Sequence, residues 1–584
     1  MIHALPPDVV REAERLAVAA APEDALMLRA ARGVADAVER LGGPSATVVA
    51  LVGGGANGGD ALHAAAMLVR RGLDVRVALL SDHPHPRALA AAVAAGVDIR
   101  DLPLPLDEGV PGWLAGDLWI DGLTGTGLRG PLREPLAGAV RALGRARKVW
   151  RTRVVAVDVP SGCLAADGTL DGEVLGADHT VTMGAAKTPL FLPPAAQYTG
   201  TVDVVDLGLD LGSAVGTAPG PAPAPGPAGG PDPDAGPAPA LVPAPGPTPT
   251  PAAEAGGAPG GPREVLRPEA ADIALTLRVP GPFDHKYTRG VVTVAAGSDT
   301  YPGAGVLATM GALGMGPGMV RLESAGRTAR IVLDRHPGVV TASGRSQAAL
   351  LGSGLDAEIE PRIQAVARRA LARGIPLVLD AGALGFVAGL VEEHGSLDRV
   401  VLTPHAGEAA TLLSRLEDRE VGRPEVEADA LAALGRLVTL TGATVVLKGS
   451  VTLVSSPDGR VFSVAGTTGW TGVAGSGDVL AGAMASLLSQ RRAEEERGGA
   501  PVDIPFTAAA AVWIHARAAL LAAGQDPRNP TASAGSPIQA EDLAGMLPGV
   551  VAGLLEEAAE VHHHRRRTGW DRSPEPSRSD PQRL

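Results

Sequence analysis

Between Ser213 and about Pro262 the chain stops reading like a protein core. In "GTAPGPAPAPGPAGGPDPDAGPAPALVPAPGPTPTPAAEAGGAPGGP" Pro, Ala and Gly dominate and no apolar period survives. A stretch so poor in large apolar side chains cannot bury enough surface to offset the entropy of ordering it. It predicts a semi-extended linker over 213–262. The chain is thereby divided into one body over 1–212 and another over 263–560. The polar end, 561–584, with "HHHRRRTGWDRSPEPSRSDPQRL", is expected to be a disordered tail. Three His in a row on such a tail are not read as a metal site.

Either body is long enough for its own core. Of the 584 residues, 45% are hydrophobic but only 2% aromatic, so the cores must be built from Ala, Val and Leu. The formal charge of −13 argues against a large nucleic-acid surface, which needs a basic stripe. With Cys163 as the single cysteine, neither an intrachain disulfide nor a Cys-held zinc can form. The N-terminus, "MIHALPPDVVREAERLA", mixes acids with apolar residues and does not read as a signal peptide. The most apolar helical stretch, from Thr507, carries His515 and Arg517 and is short for a bilayer span. A soluble cytoplasmic protein is expected, with no nucleic-acid or membrane partner.

Before the linker, apolar strand-like runs ("ATVVALVGGG", "DVRVALL", "DLWIDGL", "VVAVDVPSG") alternate with helical patterns such as "DALHAAAMLVRRG". After it the theme repeats, with "RGVVTVAAGS", "AALLGSG", "PLVLDAGAL", "RVVLTPHAGE" and "ATVVLKGS" as strands. Continuous apolar strands between helices predict an α/β fold: two doubly wound, three-layer, Rossmann-like bodies with parallel sheets covered on both faces. In such sheets ligands bind beyond the carboxyl ends of the strands.

In the first body "VGGGANGGDALHAA" follows a strand and opens a helix. Its glycines let backbone approach a ligand, and the helix N-terminus favours negative charge. The spacing departs from G-x-G-x-x-G, and a tight turn capped by Asp60 is an equal reading. "IDGLTGTGLRGP" and "AVDVPSG" end two further strands. Asn57, Asp121 and Ser161 are hard oxygen donors at these ends and could hold a hard cation. Asp158 is a candidate acid or base.

In the second body "LTPHAGE" places His405 and Glu408 at a strand end, "VVLKGSVTLV" places Lys448 at another, and "GVAGSGDVLAG" supplies an anion loop followed by Asp478. Amides of Gly475–Gly477 and the helix behind them suit a transferring phosphoryl group. Asp478 stands at the mouth of that cradle, and a plain helix cap is one reading of it. His515 is read as helix packing.

These motifs resemble bifunctional NAD(P)H-hydrate repair enzymes. "ANGGD", "IDGLTGTGLRGP", "DVPSG" and "ADHTVTMGAAKTPL" resemble the epimerase domain, from about Leu5 to Leu211. "TPHAGE", "LKGSVT" and "GSGDVLAG", in that order, resemble the ADP-dependent dehydratase domain, a ribokinase-like fold, from about Arg263 to Gly553. The resemblance implies epimerisation of R and S NAD(P)H-hydrate and dehydration of the S form at the expense of ADP.

It also implies roles. Ala56, Asn57, Gly58, Gly59 and Asp60 would line the hydrated dinucleotide, as would Gly125, Thr126, Gly127, Leu128, Arg129, Gly130 and Pro131. Asn57, Asp121 and Ser161 would bind potassium, Asp158 would act at the hydrated carbon, and Lys187 would lie close by. In the second body Ala304, Gly354, His405 and Asp478 would meet the hydrate, with Asp478 as the base that takes its hydroxyl proton. Lys448, Gly449, Ser450, Val451, Thr452 and Gly477 would bind the adenine nucleotide, which magnesium would accompany. A homo-oligomer is expected. Two positions depart from the family: Ala56 replaces an Asn, and Gly382 in "DAGAL" replaces an Asp. A small-molecule kinase with the same anion loop, or a nucleotide-binding protein with decayed sites, are the alternative readings.

Overall fold

The computed structural model describes residues 1–22, 24–106, 109–128, 130–163, 166–211, 264–352, 354–355, 360–527 and 533–567. The predicted linker and most of the predicted tail lie outside the described residues. The strands run in chain order as β1 (Ile2–Leu5), β2 (Thr47–Val52), β3 (Asp74–Leu79), β4 (Asp98–Asp101), β5 (Leu118–Gly122), β6 (Arg153–Val157), β7 (His179–Met183), β8 (Ala186–Lys187) and β9 (Thr201–Val205). The later body adds β10 (Val265–Arg267), β11 (Val291–Ala295), β12 (Met319–Leu322), β13 (Ala348–Leu351), β14 (Leu377–Leu379), β15 (Val400–Leu402), β16 (Thr444–Leu447), β17 (Thr452–Ser455) and β18 (Val461–Val464).

The first sheet is seven-stranded and parallel, in the order β4-β3-β2-β5-β6-β7-β9. Its strands are continuous apolar runs because helices cover both faces; β2 is buried from Val48 to Val52. The order reverses between β2 and β5, which opens a crevice at their carboxyl ends.

The second sheet has eleven strands, in the order β12-β11-β13-β14-β15-β16-β17-β18-β10-β1-β8. From β12 to β16 it is parallel, with its reversal beside β11. Beyond β16 the sheet is mixed, since β16–β17, β17–β18 and β1–β10 pair antiparallel. The wholly parallel sheet expected for this body is therefore corrected. "VVLKGSVTLV" turns back on itself after Gly449, and a connection that short permits only an antiparallel neighbour.

The two bodies share a seam. Strand β1, from the N-terminus, lies between β10 and β8, with Ala4 opposite Val265 on one side and Ala186 on the other. Ala4, Ala186, Leu190 and Phe191 pack in one apolar cluster with Val265 and Leu453. Ser463 donates to the Phe191 carbonyl (2.5 Å), and the Arg267 guanidinium stacks over the Phe191 ring at 4.2 Å.

Two helices depart from expectation. The helix Ile504–Ala522 is long and apolar enough to cross a bilayer, but Ala508–Ala511, Ile514 and Ala518–Leu520 are buried in the second core. It is a core helix. The helix Ala540–Arg567 runs through His562–His564 and past the expected start of the tail at 561. No Gly or Pro interrupts Leu554–Arg567, and Leu, Glu and Arg are good helix formers.

Candidate active sites

The first crevice is a cavity of about 590 Å³ at the switch point of the first sheet. Asp158 enters it directly after β6. Its φ of +69° is a left-handed conformation that a side chain rarely adopts and that costs about 1–3 kcal/mol. The surroundings over-determine it. Asp158 Oδ1 accepts from Lys187 Nζ (2.6 Å), Thr182 Oγ1 (3.1 Å) and the Met183 amide (3.2 Å). Lys187 is wholly buried and also donates to the Met183 carbonyl (2.8 Å).

Two further acids line the cavity. Asp60, in the helix Gly55–Arg70, is buried, and its Oδ1 makes no hydrogen bond among the described residues. Burial, with the negative charges of Asp158 and Glu14, pushes its pKa well above the usual carboxylate range. Glu14, on the helix Pro7–Ala20, lies 3.7 Å from Lys187 Nζ and is pushed up by burial, with Lys187 opposing. Asp158 thus has a cation against it and Asp60 does not. That contrast favours a proton on Asp60.

The oxygen donors meet at Thr124. Asn57 Nδ2 donates to the carbonyls of Val157 (2.6 Å) and Thr124 (3.4 Å). Ser161 donates to Asp121 through Oγ (2.6 Å) and its amide (2.9 Å), and Ser161 Oγ accepts from the Thr124 amide (3.0 Å). Burial lifts Asp121 to about 6, against the lowering effect of the Ser161 bonds. Thr124 Oγ1 is buried and unbonded among the described residues. A Cβ on Gly125 would come within 2.2 Å of the Asn57 side-chain oxygen, so only glycine lets the loop lie flat on Asn57.

Of the residues expected to line the hydrate, Ala56, Asn57, Asp60, Gly125, Thr126, Gly127, Leu128 and Asp158 face this cavity. Gly58 lies behind it, where a Cβ would meet the Gly53 carbonyl at 2.2 Å. Gly59 packs beside Met27 and His85. Their smallness seats the helix on β2. Gly130 and Pro131 are not among the lining residues, and Arg129 lies outside the described residues. Glu14, absent from the sequence reading, had one available signal: it sits four residues after buried Val10, on the inward face of its helix.

The second site gathers the ends of β14, β15 and β16. Asp380 Oδ1 accepts from Lys448 Nζ (2.8 Å) and Thr403 Oγ1 (2.7 Å), and Glu408 lies 3.8 Å from the same ammonium. Burial would push Lys448 down, but Asp380, Glu408 and Asp478 outweigh it and hold the lysine above its ordinary range. Asp478 occupies the first turn of the helix Ser476–Glu495. The cap of that helix, Gly475, has φ +93°, and a Cβ there would strike Leu307 at 2.3 Å. A Cβ on Gly477 would lie 3.5 Å from Lys448 Nζ, so lysine and anion loop face one another.

His405 caps the helix Ala406–Glu417, and its Nδ1 accepts from the amides of Gly407 (3.1 Å) and Glu408 (3.2 Å). The acceptor role leaves Nε2 as the N–H nitrogen, exposed and 3.7 Å from Glu408 Oε2. Gly354 abuts the Tyr301 carbonyl at the start of the helix Pro302–Gly314, which carries Ala304 one turn before Leu307. Gly382 packs on Leu355.

His515 departs from the packing role expected of it. Its Nε2 donates to the Ser476 carbonyl (3.0 Å) inside the anion loop, and burial pushes it down to about 4. It is a neutral prop for the loop. Helical spacing within "WIHARAAL" carries no trace of this contact.

The family model described as NAD(P)H-hydrate dehydratase matches residues 292–538, and that of the YjeF-related protein N-terminus matches 23–189. The bifunctional NAD(P)H-hydrate repair enzyme of Mycobacterium leprae is 37% identical over 535 residues, covering 89% of this chain and 93% of the relative. The chain belongs to the bifunctional NAD(P)H-hydrate repair enzyme family. Its relative in Mycobacterium tuberculosis is 36% identical over 84% of this chain and 89% of its own length. An ADP/ATP-dependent NAD(P)H-hydrate dehydratase from Bacillus subtilis, crystallised with ATP and magnesium, aligns with 23% identity and a TM-score of 0.39, over 49% of this chain and 97% of its own.

Proposed function

We infer that this chain repairs hydrated nicotinamide dinucleotides with two activities. The first cavity interconverts the R and S hydrates, and the second site dehydrates the S hydrate at the expense of ADP. What carries the reading is that two separate strand-end sites, Asp158–Lys187–Asp60 and Lys448–Asp380 with the Gly475–Gly477 loop, stand on one chain of this family.

Epimerisation requires the ring hydroxyl to leave and water to return on the other face. A protonated Asp60 supplies the proton to the departing oxygen, and Asp158, held by Lys187, steadies the cationic ring and takes the proton from incoming water. Asn57, Asp121, Ser161 and the Thr124 oxygens form a hard oxygen set of low charge that fits potassium. The ion would supply a fixed positive charge under the loop.

In the second site hydroxide must become a better leaving group. Asp478 takes the hydroxyl proton, the oxygen attacks the terminal phosphoryl of ADP, and AMP departs. The ring nitrogen lone pair then expels phosphate, and loss of the neighbouring ring proton restores NADH or NADPH. Lys448 and the loop amides bear the charge of the phosphoryl group in flight. With Gly382 in place of a carboxylate and Asp380 bonded to Lys448, the residues fit magnesium as the nucleotide's companion, held mainly by phosphate and water. The test is incubation of the full chain with mixed hydrates, ADP and magnesium. Complete return of the reduced-nicotinamide absorbance is expected. A stable phosphorylated product, or ligand binding without turnover, sinks the proposal.

A further inference from the structure

A cavity of about 1280 Å³ lies between the two bodies, lined by residues of both, and it reaches Ser450 and Val451 beside the second site. One wall is the first body's turn into β9, with Gln197, Gly200 and Thr201. The facing wall is the second body's, with Ser450, Thr467 and Trp470 among its residues. Ser450 stands two residues from Lys448, whose ammonium faces the anion loop. Thr467 and Trp470 belong to the segment on which that loop rests, because Ser476 Oγ donates to the Thr471 carbonyl (3.0 Å). The cavity therefore begins where the phosphate cradle ends.

Its chemistry suits a nucleoside. Trp470 is partly exposed, and Trp513 carries the Arg517 guanidinium 4.8 Å above its ring. Arg267 also lines it, with a buried Nε that has no partner among the described residues. Indole rings and guanidinium groups in one wall suit a purine and ribose. The volume exceeds what a nucleoside fills.

We propose that the nucleoside half of the phosphoryl donor binds in this interbody cavity, so that the first body supplies one wall of the second body's nucleotide site. The inference rests on the dehydratase reading above. It explains why the two bodies are hydrogen-bonded through β1 when a loose tether would have kept them on one chain: the turn into β9 must hold a fixed position opposite Ser450 and Thr467.

The experiment uses full-length protein and calorimetric titration with ADP and magnesium, alongside dehydration and epimerisation assays. Gln197→Trp and Thr467→Trp fill the cavity from opposite walls. Both are expected to raise the ADP Kd and KM about tenfold or more, with turnover at saturating ADP and the epimerase rate near wild type. Gln197→Ala, which adds no bulk, is expected to weaken ADP about threefold, about 0.65 kcal/mol. Normal ADP binding in both Gln197 variants overturns the inference: with Thr467→Trp impaired, the nucleoside lies against the second body alone, and with Thr467→Trp also normal, it lies elsewhere. Wild-type protein that binds ADP but does not dehydrate the hydrate overturns the functional reading instead, and the Gln197 variants then still decide where the nucleotide sits.

Discussion

Lys187 donates to Asp158 across 2.6 Å from a strand that belongs to the other body's sheet. The lysine is completely buried, and the aspartate is held in a left-handed backbone conformation. Removing one member leaves a buried charge without a counter-ion, which costs about 3–5 kcal/mol. Lys187→Met should therefore lower the denaturant midpoint and abolish epimerisation. Lys187→Met combined with Asp158→Asn should recover much of the stability and none of the activity. Equal stability of the single and double variants would falsify the pairing argument.

Asp478→Asn keeps the shape of the helix start and removes the base. Dehydration should fall by about 10²–10⁴, with the melting temperature nearly unchanged and the epimerase intact. If dehydration stays within a few-fold of wild type, Asp478 is only a helix cap.

Burial lifts Asp121 to about 6. An acid whose folded pKa is above its unfolded value of about 3.9 loses stability for the protein as pH rises from that value through the folded one. Bound potassium favours the charged form and reverses the loss. The gain in melting temperature from potassium chloride over choline chloride should therefore be larger above about pH 6 than below it. A gain that is flat across this range, or matched by Asp121→Asn, argues that the cation is not bound there.

His515 shows the opposite sign. Its folded value of about 4 lies below its unfolded value, so its contribution is present above about pH 6.5 and is lost as pH falls toward 4. His515→Phe removes the donor to Ser476 and should reduce dehydratase kcat more than His515→Gln, which can still donate. Both should remain folded by circular dichroism. Equal kcat in the two variants would mean that the bond to the loop is not what matters.

Legibility in the sequence followed element length and continuity. The apolar runs that became β2, β5, β6, β11 and β16 announce themselves because both faces are covered, and the turns after β5, β6 and β16 mark the carboxyl ends where Asp121, Asp158 and Lys448 stand. Strands β1, β8 and β10 have only two to four residues, too few to carry a period, so the seam between the bodies could not be read. Glu14 and His515 sit inside helical patterns, and their roles arise from partners far along the chain, at Lys187 and Ser476. A pattern local in sequence holds no record of such partners.

Strand β1 has a bearing on how this enzyme could be taken apart. A C-terminal half made alone would present β10 as a raw edge, with amides and carbonyls seeking a mate. The N-terminal half would carry a short ribbon fit to occupy that gap. Produced as separate polypeptides, the halves should reassemble in trans, and a peptide copy of Met1–Leu5 should compete for the same slot.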